Sequence, residues 1–123
     1  MNGIRILCDT NSLIYLLDGN RDVANFLDNK QIYVSVISEL ELFGKPHLLP
    51  REIRVIENLL ESCFVVNINP DIKMLYRQLR QEQNLRLADA VVAATAIYLD
   101  VPLLTFDKDF KNMMQLNLLL WNK

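Results

Sequence analysis

The sequence predicts an α/β protein, with a mainly parallel sheet covered by helices on both faces. Three observations lead there. Short apolar runs of strand type alternate with segments of helical spacing along the whole chain. No linker, internal repeat or low-complexity stretch interrupts the alternation. Two of the strand-like runs end directly in aspartate, Asp9 and Asp107, and in open α/β sheets the functional crevice lies beyond the strand carboxyl ends.

The elements follow in order. Ile4 to Cys8 is an apolar strand (4–8), and Leu13, Ile14, Leu16 and Leu17 mark a helix over 11–18. A second helix is expected over 21–29. A strand over 32–36 then passes into a helix over 38–44 that carries Glu39 and Glu41. Pro50 opens a helix over 50–62, where a first helical position tolerates proline, with Ile53, Ile56 and Leu60 as its apolar stripe. A strand over 64–68 precedes a helix over 70–83, opened by Pro70 and striped by Ile72, Leu75, Tyr76 and Leu79. The helix over 86–99 is apolar almost throughout, and the chain turns at Asp100-Val101-Pro102 into a strand over 103–105. The last strand is expected over 116–120, with Leu116 to Trp121 closing the sheet edge. Right-handed crossovers restrict the possible strand orders.

Composition fits one soluble domain spanning 1–123. At 123 residues the chain can bury a sizeable core. A hydrophobic fraction of 51% hints that a partner or a second copy covers some apolar surface. No signal peptide and no membrane-spanning run is visible. Cys8 and Cys63 are isolated in apolar contexts and read as free thiols, which fits a reducing cytoplasm. The single histidine, His47, cannot by itself make a zinc site, and no Ser-His-Asp or Cys-His arrangement is visible.

The chemistry is carried by acids in unusual places. Asp89 stands inside the apolar run Leu87-Ala88-Asp89-Ala90-Val91-Val92, and Asp107 follows Leu103-Leu104-Thr105-Phe106. An ionised carboxylate beside a packed core is costly unless a cation or hydrogen-bond donors meet it. Glu39 and Glu41 are two positions apart and so on different helix faces; only one can share a centre with Asp9. Each acid also has a plain structural explanation: Asp9 as a helix cap, Asp89 as a first-turn acid or partner of Arg86, Asp107 and Asp109 as turn residues, the glutamates as solvated surface. Coincidence decides, because these acids all fall at strand ends or in apolar helices.

Taken together, Asp9-Thr10-Asn11, Ser38-Glu39-Leu40-Glu41-Leu42-Phe43-Gly44, Leu87-Ala88-Asp89-Ala90 and Thr105-Phe106-Asp107-Lys108-Asp109-Phe110 resemble the PIN domain, and within it the VapC-like toxins of bacterial toxin–antitoxin pairs. The pieces occur in the family's order across nearly the whole chain. The resemblance implies a three-layer α/β/α fold with a five-stranded sheet in the order 3-2-1-4-5. It implies that Asp9, Glu41, Asp89 and Asp107 form an acidic quartet holding one or two Mg²⁺ or Mn²⁺ ions for RNA hydrolysis. Glu41 is preferred over Glu39 because it stands three residues after Ser38, matching the family's serine/threonine-to-glutamate spacing. Asn11 and Thr105 are suited to orienting ligands or water beside the acids, with Asp109 as an auxiliary member. A cognate antitoxin and a homodimer are also implied, with exposed parts of the helices at 21–29 and 50–62 expected to serve those contacts.

Physical chemistry supports the same assignment. Hard divalent cations prefer oxygen ligands, and Mg²⁺ takes one or two carboxylates while keeping waters and phosphate oxygens. A bound ion can lower the pKa of water, align it with phosphorus and stabilise the leaving oxygen. The chain carries 13 basic and 15 acidic residues; setting aside the four candidate ligands leaves 13 against 11 (15 − 4), a balance compatible with modest, non-specific RNA affinity. Two other classes stay in view. An aspartate-nucleophile phosphatase typically needs a second acid two residues after the first, where this chain has Asn11. A catalytically silent binding or regulatory module would keep the pocket without turnover.

Overall fold

The structure is a computed structural model that describes residues 3–110 and 118–120. The chain runs β1 (Arg5–Cys8), α1 (Thr10–Leu17), α2 (Arg21–Leu27), β2 (Gln31–Ser35), α3 (Val36–Phe43), α4 (Pro50–Glu61), β3 (Phe64–Val66), α5 (Pro70–Glu82), α6 (Leu87–Leu99), β4 (Leu103–Thr105), a 3₁₀ turn (Lys108–Phe110) and β5 (Leu118–Leu120). The five strands form one sheet in the order β3-β2-β1-β4-β5, and every neighbouring pair is parallel. This is the expected order, with β1 and β4 side by side: Leu7 pairs with Leu103, and Cys8 with Leu104.

Alternation along β1 builds the three layers. Leu7 points into a core formed with Ile72 and Leu79 of α5 and the alanine-rich side of α6. Its neighbours Ile6 and Cys8 point the other way, into a core with Leu13, Val23, Ile56 and Leu60 from α1, α2 and α4. A period of two therefore sends successive residues to opposite sheet faces, as a doubly covered parallel sheet requires. In α6, Ala90 to Ala96 are all buried, which explains why that helix shows no polar face. The left-handed backbone of Asp100 ends it, at φ 55°, a conformation that a short polar side chain tolerates.

Most boundaries shift by a residue or two from the expected ones, and two of the shifts have a visible local cause. Val36, expected in a strand, is the first residue of α3, because Ser35 caps that helix directly: its Oγ accepts from the Ile37 amide at 3.2 Å. Strand thus becomes helix without a loop, and the helix begins two residues before the expected Ser38. At β3 the strand ends at Val66 rather than at residue 68, since Asn69 turns the chain to cap α5 by accepting from Ile72 N at 2.8 Å. Of the last expected strand, 118–120 is seen, while 116, 117 and Trp121 lie outside the described residues.

Candidate active site

The cleft forms where β1 and β4 end side by side. Asp9 directly follows β1 and is buried, with 6% of its surface exposed. Its carboxylate does two jobs. Oδ1 accepts from Ser12 N at 2.8 Å, capping α1, and Oδ2 accepts the hydroxyl proton of Thr105 at the end of β4. The helix-cap reading of Asp9 therefore holds through Oδ1, while Oδ2 is tied to the end of β4. Ser12 Oγ donates to Leu104 O at 3.0 Å and ties the start of α1 to β4.

Thr105 also positions Asp107. Its Oγ accepts from the Asp107 amide at 3.0 Å, and Asp107 Oδ1 in turn accepts from the Asp109 amide at 2.9 Å. Asp109 serves through its backbone: its side chain is exposed and does not line the cleft, contrary to the auxiliary carboxylate role expected for it. From the other side, α3 brings Glu41, whose Oε1 accepts a hydrogen bond from Thr10 Oγ; Thr10 Oγ also lies 2.9 Å from Ser38 Oγ. A hydroxyl has one proton and a carboxylate only accepts, so Thr10 gives its proton to Glu41 and Ser38 donates to Thr10. Ser38 and Glu41 are three residues apart on one helix face. Glu39, half-buried on another face, does not line the cleft.

Asp9, Glu41, Asp89 and Asp107 all line this cleft, which has a volume of about 180 Å³. They come from four separated segments of the chain. Asn11 lines it too but is exposed; the hydroxyls that bond the acids are those of Thr10 and Thr105. Thr10 and Arg86, which also line the cleft, were not singled out as site residues by the sequence. Thr10 could have been found from its place between Asp9 and Asn11. Among the described residues, no three acid, histidine or cysteine side chains are grouped as a metal cage. Two of the four acids are held by hydroxyl partners, Asp9 by Thr105 and Glu41 by Thr10.

Electrostatics match that picture. Burial pushes the Asp9 carboxyl above the usual carboxylate range, opposed by the hydrogen bonds from Thr105 and Ser12, with Asp107 adding to the rise. Asp89 is also raised, first by burial, then by Asp107; Arg86 opposes the rise, and Asp9 and Glu41 add to it. For both acids the folded protein binds its proton more tightly than the unfolded chain does. Their ionisation therefore costs stability at neutral pH, and that cost disappears as pH falls through the raised range toward the ordinary carboxylate value. Asp89→Asn is accordingly expected to melt about 2–4 °C above wild type at neutral pH in chelator, an effect kept small by solvent screening. The gap should close on acidification. A thermal melt series from mildly acidic to neutral pH checks this, and a pH-independent gap would contradict it.

Comparison with known proteins places the geometry. A family profile for the PIN domain matches residues 6–115. No curated protein is similar enough in sequence to match. Among solved structures, VapBC2 from Rickettsia felis, bound to a DNA fragment from its promoter, is similar at a TM-score of 0.86 with 21% identity, over 97% of this chain and 100% of that one. A toxin–antitoxin complex from Klebsiella pneumoniae is 30% identical at a TM-score of 0.75, over 90% and 94%. VapBC-1 from nontypeable Haemophilus influenzae is 28% identical at 0.77, over 98% and 100%. The matched segment takes in all four acids and the sheet edge that gathers them, so this chain belongs to the PIN domain family, with VapC-like toxins as its structural relatives.

Proposed function

We propose that this protein is a divalent-metal-dependent endoribonuclease acting as the toxin of a toxin–antitoxin pair. The observation that carries the reading is the single cleft in which Asp9, Glu41, Asp89 and Asp107 face one another. Their chemistry fits a hard cation: all are carboxylate oxygens, and two have raised proton affinity that a cation would relieve. Asp9, Asp89 and Asp107 would hold Mg²⁺ or Mn²⁺, with Glu41 orienting water or completing the set. The chemistry such an ion contributes is activation of water and neutralisation of charge on the phosphate oxygens.

The chain's own residues do the rest. Thr105 holds Asp9 and the Asp107 backbone in one geometry. Thr10 and Ser38 aim the Glu41 carboxylate. Ala88 and Val92 add apolar lining to the cleft beside Asp89. Thr105→Val keeps the shape of this buried residue and removes both of its bonds. It is expected to weaken Mn²⁺ binding by about 10–100-fold, measured by calorimetric titration. Unchanged affinity would mean that Thr105 does not orient the site.

Purified protein should cut single-stranded RNA with Mn²⁺ and stop with chelator. Release of phosphate from small phosphate esters without RNA cleavage would favour the phosphatase instead. That reading is disfavoured by Asp9 itself, which is buried with both oxygens engaged and so poorly placed as a nucleophile. A silent binding module would bind RNA and leave it intact.

The partner assignment rests on a second feature. An apolar groove of about 490 Å³ runs beside the cleft, walled by Ile14, Leu17, Leu42, Leu48, Val55 and Ile56 of α1, α3, α4 and the loop before α4. Glu41 lines both the groove and the cleft. A helix of a cognate antitoxin laid in the groove would therefore end beside the reacting centre. Helix α4 supplies part of this wall; α2, the other helix expected to serve partner contacts, supplies none of it. Exposed Leu40 and Leu87, on the packed pair α3 and α6, suit contacts to a second copy. Among the described residues no helix is long and apolar enough to cross a membrane, and both cysteines are free, in keeping with a cytoplasmic toxin.

A further inference from the structure

We infer that Arg86 is a substrate-binding residue of this centre, its guanidinium taking a phosphate of the RNA strand next to the one being cut. The inference rests on the nuclease reading above. Four carboxylates in one cleft repel a polyanion, and Arg86 is the one basic side chain among the described residues that line it. Its backbone is bonded into the helix start, and its side chain makes no capping bond. Arg86 is the cap residue of α6 in extended conformation (φ −66°, ψ 159°), and its carbonyl accepts from Ala90 N at 2.9 Å. The side chain is exposed to water.

The competing role is partner of Asp89, three residues on. Arg86 does act on that acid, but the two form no close ion pair among the described residues. An exposed arginine whose only task was to neutralise Asp89 would gain most by closing onto it. A guanidinium held at the cleft wall with its donors unspent instead matches a phosphate, which accepts two parallel N–H bonds from the planar fork.

The test compares Arg86, Arg86→Gln and Arg86→Lys. Binding is read by fluorescence anisotropy of a fluorescein-labelled single-stranded RNA over a range of salt, in an Asp9→Asn background that leaves the probe uncut. Cleavage kinetics are read in the otherwise wild-type chain with Mn²⁺. Arg86→Gln is expected to bind about tenfold more weakly and to lower the slope of log affinity against log salt by about 0.7, the value for one lost contact to a single strand. KM should rise with kcat nearly kept, and Arg86→Lys should restore the slope while recovering only part of the affinity. Unchanged binding and slope in Arg86→Gln, with wild type cutting RNA, would overturn the inference. So would a fall in kcat with a shifted pH profile and constant KM, which would make Arg86 a partner of Asp89 alone. A wild type that cuts no RNA sinks the nuclease reading itself, a result distinct from either.

Discussion

Asp9→Asn is expected to lower RNA cleavage by at least about 10³-fold, because it removes the charged oxygen on which the cleft is built. Asp9 is the most buried of the four acids, and it touches both strand ends that frame the centre. The substitution should leave the fold in place. Asn is as good a helix cap as Asp, so its carbonyl can still accept from Ser12 N. The amide it presents to Thr105 is a donor, however, so the threonine proton loses its acceptor and the pocket loses a ligand for a hard cation. Cleavage with Mn²⁺ and a thermal melt of the same preparation check the two halves together. Equal cleavage by Asp9→Asn and wild type would show that the chemistry lies elsewhere.

The largest effect on stability is expected from Phe110→Ala, a loss of about 3–5 kcal/mol. Phe110 is fully buried and belongs to the core of Leu7, Leu103 and the alanine face of α6. It also ends the 3₁₀ turn that follows Asp107, and its amide bonds back to Asp107 O at 3.5 Å. Truncation leaves a cavity that the small alanines of α6 cannot fill, and it frees the turn that holds the Asp107 carboxylate. Denaturant unfolding should show a lower midpoint with an unchanged slope, and activity should fall by more than the unfolded fraction explains. A loss below about 1 kcal/mol would mean that the surrounding core closes over the gap.

Both expectations bear on how much the chain reveals before it folds. Strand β1 and the helix starts at Pro50 and Pro70 were legible because each rests on local pattern, whereas the strand order followed from the family resemblance. The start of α3 was not, because Ser35 replaces a loop by a cap, and a strand-like Val36 gives no sign of that. In the cleft, Glu41 was separable from Glu39 because its spacing from Ser38 matches the family's, and it is Glu41 that lines the cleft, on one helix face with Ser38. Asn11 drew attention as an amide beside an acid, yet the hydroxyl of its neighbour Thr10 makes the bonds, to partners 28 and 31 residues away. Periodicity reports which face a residue takes, and it is silent on what a distant segment brings to that face.

By itself the sequence determined the alternation of elements, the two apolar faces of the sheet and the places where carboxylates interrupt apolar runs, since all of these follow from the period of side chains along strand and helix. The tertiary structure alone decided that Asp9 divides its oxygens between Ser12 and Thr105, that Thr10 and not Asn11 bonds Glu41, that Asp109 meets Asp107 through its amide, and that Arg86 stands at the cleft wall. The reason is one of range: hydrogen bonds and charges act over a few ångströms in space, and these partners become neighbours only when parallel strands far apart in sequence end side by side.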